Sequence, residues 1–145
     1  LQYYYSNPKA KGSYSIKSIL PAILGTSDLI RQRYAQPLSA LGINSRNMPA
    51  DHIWLKEEEG RVVSPYEMLP ELFEGWSEEE ILRKTISELE EIHHGGDALV
   101  AYARLQYVDM SDEERNKIEE GLKKYCELDT LAMVMIHEHL MEVIL

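Results

Sequence analysis

The chain carries one cysteine, Cys126, in 145 residues. A single thiol builds no internal disulfide framework, which fits a reducing compartment and leads us to expect a cytoplasmic protein. No apolar run approaches the roughly 20 residues that span a bilayer, so nothing reads as a membrane segment. The opening Leu1-Gln2-Tyr3-Tyr4-Tyr5-Ser6 has neither the basic flank nor the apolar core of a signal peptide. Cys/His pairs at zinc-site spacing are missing, as are Gly-x-Gly-x-x-Gly and Gly-Lys-Ser/Thr phosphate loops. Repeats, low-complexity segments and a convincing nucleophile–base pair are absent too, which leaves few ready-made chemistries.

Cations are also in short supply. Fifteen Lys and Arg stand against 25 Asp and Glu, a net charge of −10, which argues against a general nucleic-acid binder. The shortage is uneven. Residues 1–50 hold six Lys/Arg and one acid, Asp28, for a net +5, while residues 51–145 hold nine and 24, for a net −15. The basic N-terminal third is suited to face phosphates while the acidic remainder is solvated or binds cations. The competing reading is chance segregation of charge on solvated faces.

What is present is mostly helical pattern. The length suits one domain with a real core, or part of one, over 1–145. Residues 1–14 read as an extended lead-in ending at the turn Asn7–Gly12. A short helix is expected over Ser13–Gly25, with Ser13 or Ser15 as N-cap and Gly25 as stop, its apolar stripe being Ile16, Ile19, Leu20 and Ile23. Pro21 is expected to split or kink it. Ser27 caps a second helix to about Gln36, halted by Pro37. His52–Leu55 and Arg61–Val63 suggest two short strands around Glu57-Glu58-Glu59-Gly60, and a helical turn follows over Pro65–Phe73. Ser77-Glu78-Glu79-Glu80 and Ser111-Asp112-Glu113-Glu114 are capping boxes. The first opens a helix that Gly95-Gly96 stops. Asp97 caps another over about Ala98–Val108, and the second box opens one running nearly to Leu145. The expectation is a mainly α chain with at most a few short strands.

Three places carry candidate chemistry. Tyr125 and Asp129 are four residues apart, on one helical face, where a phenol and a carboxylate can bind a metal ion and position a water. Both residue types are also ordinary in helices. Asp129, however, falls among Leu128, Leu131, Ala132, Met133 and Val134, where a carboxylate needs a partner or a metal. His137-Glu138-His139 has ligand residue types at the wrong spacing for a helical zinc site and reads better as histidines on a solvated helix end. His93-His94-Gly95-Gly96-Asp97 offers anion-holding N–H groups, or simply a helix junction with Asp97 as cap. Cys126 reads as a small apolar packing residue.

Four stretches in order carry a resemblance: Gly12-Ser13-Tyr14-Ser15-Ile16-Lys17-Ser18-Ile19-Leu20-Pro21, Ser64-Pro65-Tyr66-Glu67-Met68-Leu69-Pro70, Gly95-Gly96-Asp97-Ala98 with Ala101-Tyr102, and Tyr125-Cys126-Glu127-Leu128-Asp129-Thr130-Leu131-Ala132-Met133. Together they resemble the C-terminal part of the bacterial family called domain of unknown function 2779. That family looks like a branch of the ribonuclease H-like 3′–5′ exonucleases, in which four carboxylates hold two divalent ions for attack on a terminal phosphodiester. The resemblance implies that Asp129 is the last metal ligand and that Tyr125 helps to position the attacking water. It makes Ser13, Ser15 and Lys17 second-tier phosphate contacts.

This chain departs from the pattern in having no Asp-x-Glu on an early strand, since its only acid before Asp51 is Asp28. The resemblance therefore implies the C-terminal portion of a larger ribonuclease H-like α/β domain, using Mg²⁺ or Mn²⁺ when intact. On this reading, a fragment with one carboxylate needs no cofactor and is inactive alone. Helices shaped to cover a sheet are expected to self-associate through the Ile16/Ile19 stripe or the Leu131–Ile136 surface. The alternative is a non-catalytic helical interaction module whose acidic surface meets a protein partner.

Overall fold

The computed structural model describes residues 7–70, 101–102, 104–106 and 109–144. The described chain is mainly helical, with one two-stranded antiparallel sheet. It divides into two compact units, one of residues 1–68 with 127–145 and the other of residues 69–126.

The first unit opens on a 3-10 turn, Pro8–Ala10, where the sequence suggests extended chain and a turn. Asn7 caps it by accepting the Lys9 backbone N–H at 3.0 Å. Helix α1 (Ile16–Leu24) begins after the extended Ser15 and ends at Gly25. It runs unbroken through Pro21, contrary to the expected split. Leu20, Ile23 and Leu24 are fully buried and Ile19 nearly so. At about 1.5–3 kcal/mol per buried side chain, this face outweighs the ~3 kcal/mol cost of an internal proline.

Helix α2 (Asp28–Tyr34) is capped by Ser27, whose Oγ accepts the Ile30 N–H at 3.2 Å. Asp28 in its first turn and Arg31 and Arg33 in its last complement the helix dipole. After α2 the backbone stays knitted without forming strands. Leu38 N–H donates to the His52 carbonyl at 3.0 Å, and Leu55 N–H to that of Tyr34 at 3.1 Å.

The hairpin pairs β1 (Lys56–Glu58) with β2 (Arg61–Val63), so His52–Leu55 is not the strand that the pattern suggests. Turn geometry explains the correction. Glu59 and Gly60 hold φ of 50° and 76°, a two-residue turn with both central residues left-handed. Such a turn forces Glu58 opposite Arg61 and Lys56 opposite Val63. A second 3-10 turn, Pro65–Met68, follows.

Helix α3 (Asp112–Ile144) is 33 residues long. Its capping box closes reciprocally. Ser111 Oγ accepts the Glu114 N–H at 3.2 Å, and Glu114 Oε2 accepts the Ser111 N–H at 3.1 Å. The bond from the Ser111 backbone holds the Glu114 carboxyl below its usual range. The expected helix over Ala98–Val108 is present as helical residues 101–102 and 104–106. The Tyr3–Tyr5 run, the first capping box at Ser77 and the His93–Asp97 junction lie outside the described residues.

In the first unit, Leu128, Ala132, Met135 and His139 of α3 form the buried stripe. Around that stripe, polar donors from the N-terminal half reach the helix's carboxylates. Ser27 Oγ donates to Glu142 at 2.7 Å, Tyr34 OH to Glu138 at 3.0 Å, and Asn47 Nδ2 to Glu127 at 2.6 Å.

Tyr34 carries a pH signature. Burial, followed by its bond to Glu138 and that residue's charge, pushes the phenol up to about 12. A raised folded-state pKa means stability that is complete below pH ~10 and is lost as pH rises toward ~12. Glu138 remains partly open to water, so we expect about 1–2 kcal/mol rather than the full two-unit equivalent. Urea unfolding between pH ~9 and ~12 should show this extra loss in the wild type and not in Tyr34→Phe. Parallel curves for the two proteins would remove the Tyr34 contribution.

Candidate functional site

Asp129 sits on α3 directly after the fully buried Leu128 and is itself half-buried. The partner that such a carboxylate requires is Tyr66, whose OH donates to Asp129 Oδ1 at 2.7 Å. A hydrogen bond to an ionised acceptor is worth about 1.5–3 kcal/mol and fixes the carboxylate's orientation. The bond uses Oδ1, so Oδ2 is left to another donor or to a cation.

Tyr66 stands in the 3-10 turn Pro65–Met68, anchored by buried Pro65 and by the Glu67 N–H to Ser64 carbonyl bond at 2.9 Å. Above its ring lies Lys17 Nζ, 5.9 Å from the centroid. The ammonium is attracted by the ring face. Lys17 from α1, Tyr66 from the turn and Asp129 from α3 therefore stand in series. They come from three of the four quoted stretches.

The sequence candidates distribute unevenly around this series. Tyr125 is one helical turn before Asp129 on α3, half-buried, with its phenolic oxygen closed off from solvent. Ser15 is the cap residue of α1 but makes no side-chain cap bond, and Ser13 Oγ accepts the Ser15 N–H at 3.2 Å. Both serines serve the local turn. Lys17 alone of the three phosphate candidates lines a cleft of about 820 Å³ in the first unit.

That cleft is walled by the Pro8–Ala10 turn, α1, α2 and the hairpin. Among the described residues it presents Lys9, Lys11, Lys17, Arg31 and Arg61 against two carboxylates, Glu57 and Glu67. The described lining residues sum to +3 in a chain of −10. Four of its five cations come from the basic first 50 residues.

Tyr66 is the residue that sequence reasoning missed. Its motif was visible, but a bond spanning 63 residues leaves no local pattern. Two other readings change. His139 is buried at 7 % exposure, with Nδ1 3.3 Å from Glu142 Oε2, so it belongs to the buried stripe and not to a solvated helix end. Cys126 is exposed and does not pack as an apolar residue.

Among the described residues no group of three or more His, Cys, Asp or Glu converges as a metal site. Asp129 offers one carboxylate, and two divalent ions need several, so these residues do not by themselves fit the two-ion centre that the resemblance implies. None of the described helices is long and apolar enough to cross a membrane. Compared with known proteins, the chain matches no family model, no curated protein and no solved structure.

Proposed function

We propose that this chain is the C-terminal part of a nuclease-like protein of the ribonuclease H-like 3′–5′ exonuclease type, supplying the last carboxylate of an active site whose other acids come from elsewhere. The observation that carries the reading is the Lys17–Tyr66–Asp129 series. Stretches far apart in the chain meet at the one acid that the resemblance singles out. In this arrangement Tyr66 holds the Asp129 carboxylate in a set orientation. Lys17, shared between the Tyr66 ring and the basic cleft, connects that carboxylate to a surface suited to phosphate.

The test is cleavage of a labelled nucleic acid with Mg²⁺ or Mn²⁺ by a longer protein carrying an upstream Asp-x-Glu. Asp129→Asn is expected to abolish it, and retained activity would show that Asp129 is no ligand. Residues 1–145 alone are expected to be inactive, and robust metal-dependent cleavage by them would contradict the fragment reading.

A second reading has its own observation. Tyr66 already satisfies Asp129 within the fold, and Met133, Met141 and Ile144 of α3 are exposed apolar side chains. Both facts suit a non-catalytic interaction module in which Asp129 is structural. They also bear on self-association, for which Ile19 is excluded because it is buried within the chain. The surface left for a second copy is the Met133/Val134 side of α3. Light scattering at rising concentration should show dimers that Met133→Lys dissolves, and a monomer throughout would count against this surface.

A further inference from the structure

We propose that the exposed face of α3 carries a soft-metal site, in which the His137 imidazole and a thioether from Met133 or Met141 bind a monovalent ion such as Cu⁺. This goes beyond the nuclease-like reading and is independent of it, since none of these residues belongs to the Lys17–Tyr66–Asp129 series.

Spacing is the first argument. Met133, His137 and Met141 follow one another at intervals of four along α3. Residues so spaced on a helix have Cβ atoms about 5–6 Å apart, close enough for two long side chains to share one ion. Met133 and Met141 are separated by a rise of about 12 Å, too far for both thioethers to meet the same ion. His137 is therefore the common ligand of two overlapping pairs, Met133/His137 and His137/Met141. A monovalent soft ion is satisfied by two ligands, and the flexible methionine side chain adapts to either pair.

The donor set is the second argument. Met133 is 58 % exposed, Met141 is 44 % exposed, and His137 is exposed as well. A methionine used for packing on this helix looks different: Met135 is fully buried. Among the described residues His137 enters no hydrogen bond or ion pair, whereas His139 faces Glu142. The carboxylates nearest in sequence are engaged by the N-terminal half. Glu138 accepts from Tyr34 and lies near Arg33, and Glu142 accepts from Ser27. The exposed neighbours Val134 and Ile144 add no donor atom. The face thus offers one imidazole and two thioethers. Thioethers select Cu(I), whereas Mg, Ca and Mn prefer oxygen ligands.

The test is a titration of the full chain carrying Cys126→Ser, which removes an exposed thiol that would take a soft ion first. Ag⁺ serves as a redox-stable probe, followed by NMR of methionine methyls and histidine rings. Cu⁺ affinity is read by competition with a chromogenic chelator. The His137 ring and the Met133 and Met141 methyls should shift most, and the buried Met135 methyl least. His137→Ala should weaken Cu⁺ binding by about 10-fold or more, since even an outer partner of a metal ligand is worth about 10–100-fold. Met133→Leu and Met141→Leu should each cost only about twofold, because the other pair remains. Together they should cost about 10-fold or more, a departure from additivity that marks a shared ligand.

Three outcomes overturn the proposal: no shift at His137 on adding Ag⁺, unchanged Cu⁺ affinity in the double methionine variant, or Zn²⁺ binding at His137 as tightly as Cu⁺. The last would make His137 a lone imidazole ligand without thioether help. Circular dichroism of each variant checks that α3 is intact. Leucine keeps the apolar surface, so neither result bears on self-association through Met133 and Val134.

Discussion

Asp129→Asn, made in a protein that also carries the upstream acids, is expected to lower divalent-ion-dependent cleavage by about 10³-fold or more with little change in stability. The magnitude follows from charge. Metal-assisted stabilisation in phosphodiester cleavage is worth several kcal/mol, and each 1.36 kcal/mol is about a factor of ten. The small stability change follows from the Tyr66 bond. Asparagine keeps an oxygen where Oδ1 accepts the phenol at 2.7 Å, so the loss is the difference between a charged and a neutral acceptor, about 1 kcal/mol. Tyr66→Phe separates orientation from charge. The carboxylate stays ionised but loses the donor that aims it, and outer partners of this kind typically matter by about 10–100-fold. An Asp129→Asn protein that cleaves normally but unfolds much more easily would make the pair structural and favour the interaction module.

Some of this arrangement was legible from residue order alone. The capping box Ser111–Glu114 announces α3, whereas the burial of Met135 on it emerges only from the packing. The need for a partner at Asp129 was legible too, from the apolar residues around it. The identity of that partner was not, because Tyr66 looks like any tyrosine after a proline. Pro21 misled for a related reason: the rule against internal proline is local, whereas the burial that overrides it is tertiary. The hairpin register was readable in principle from Glu59-Gly60, since a two-residue left-handed turn leaves only one pairing. His139 illustrates the limit of residue type, because its buried place on α3 depends on packing that its neighbours in sequence do not encode.

One division of labour links the fold to the cleft. In the first unit the carboxylates of α3 at Glu127, Asp129, Glu138 and Glu142 accept from Asn47, Tyr66, Tyr34 and Ser27, all uncharged donors. Arg33 adds a cation near Glu138 at 3.5 Å, on an exposed side chain where such a pair is worth little. An acidic helix could instead have drawn in the lysines of the N-terminal third. Because neutral groups dock it, those lysines stay on the cleft, and charge segregated in the sequence remains segregated in the fold.

Trp54→Ala is expected to cost about 3–5 kcal/mol, the largest stability effect of any single truncation here, while Trp54→Phe should fall within about 1 kcal/mol of the wild type. The side chain is 1 % exposed, so its removal forfeits the transfer energy of a large ring and leaves a cavity in a loop that has few ways to collapse. That loop is held on both sides of Trp54 by backbone bonds, from Leu38 to the His52 carbonyl and from Leu55 to that of Tyr34. These bonds keep the walls of the cavity apart. The His52 ring stands edge-on at 4.3 Å and would lose its stacking partner as well. Phenylalanine behaves differently because the indole N–H is buried and meets no acceptor among the described residues. Burying a donor unsatisfied costs about 1–3 kcal/mol, so deleting it offsets most of the ring area lost. Urea denaturation followed by circular dichroism reads both variants. A Trp54→Phe protein as unstable as Trp54→Ala would mean that the indole nitrogen is satisfied after all and that the loop is organised around that bond.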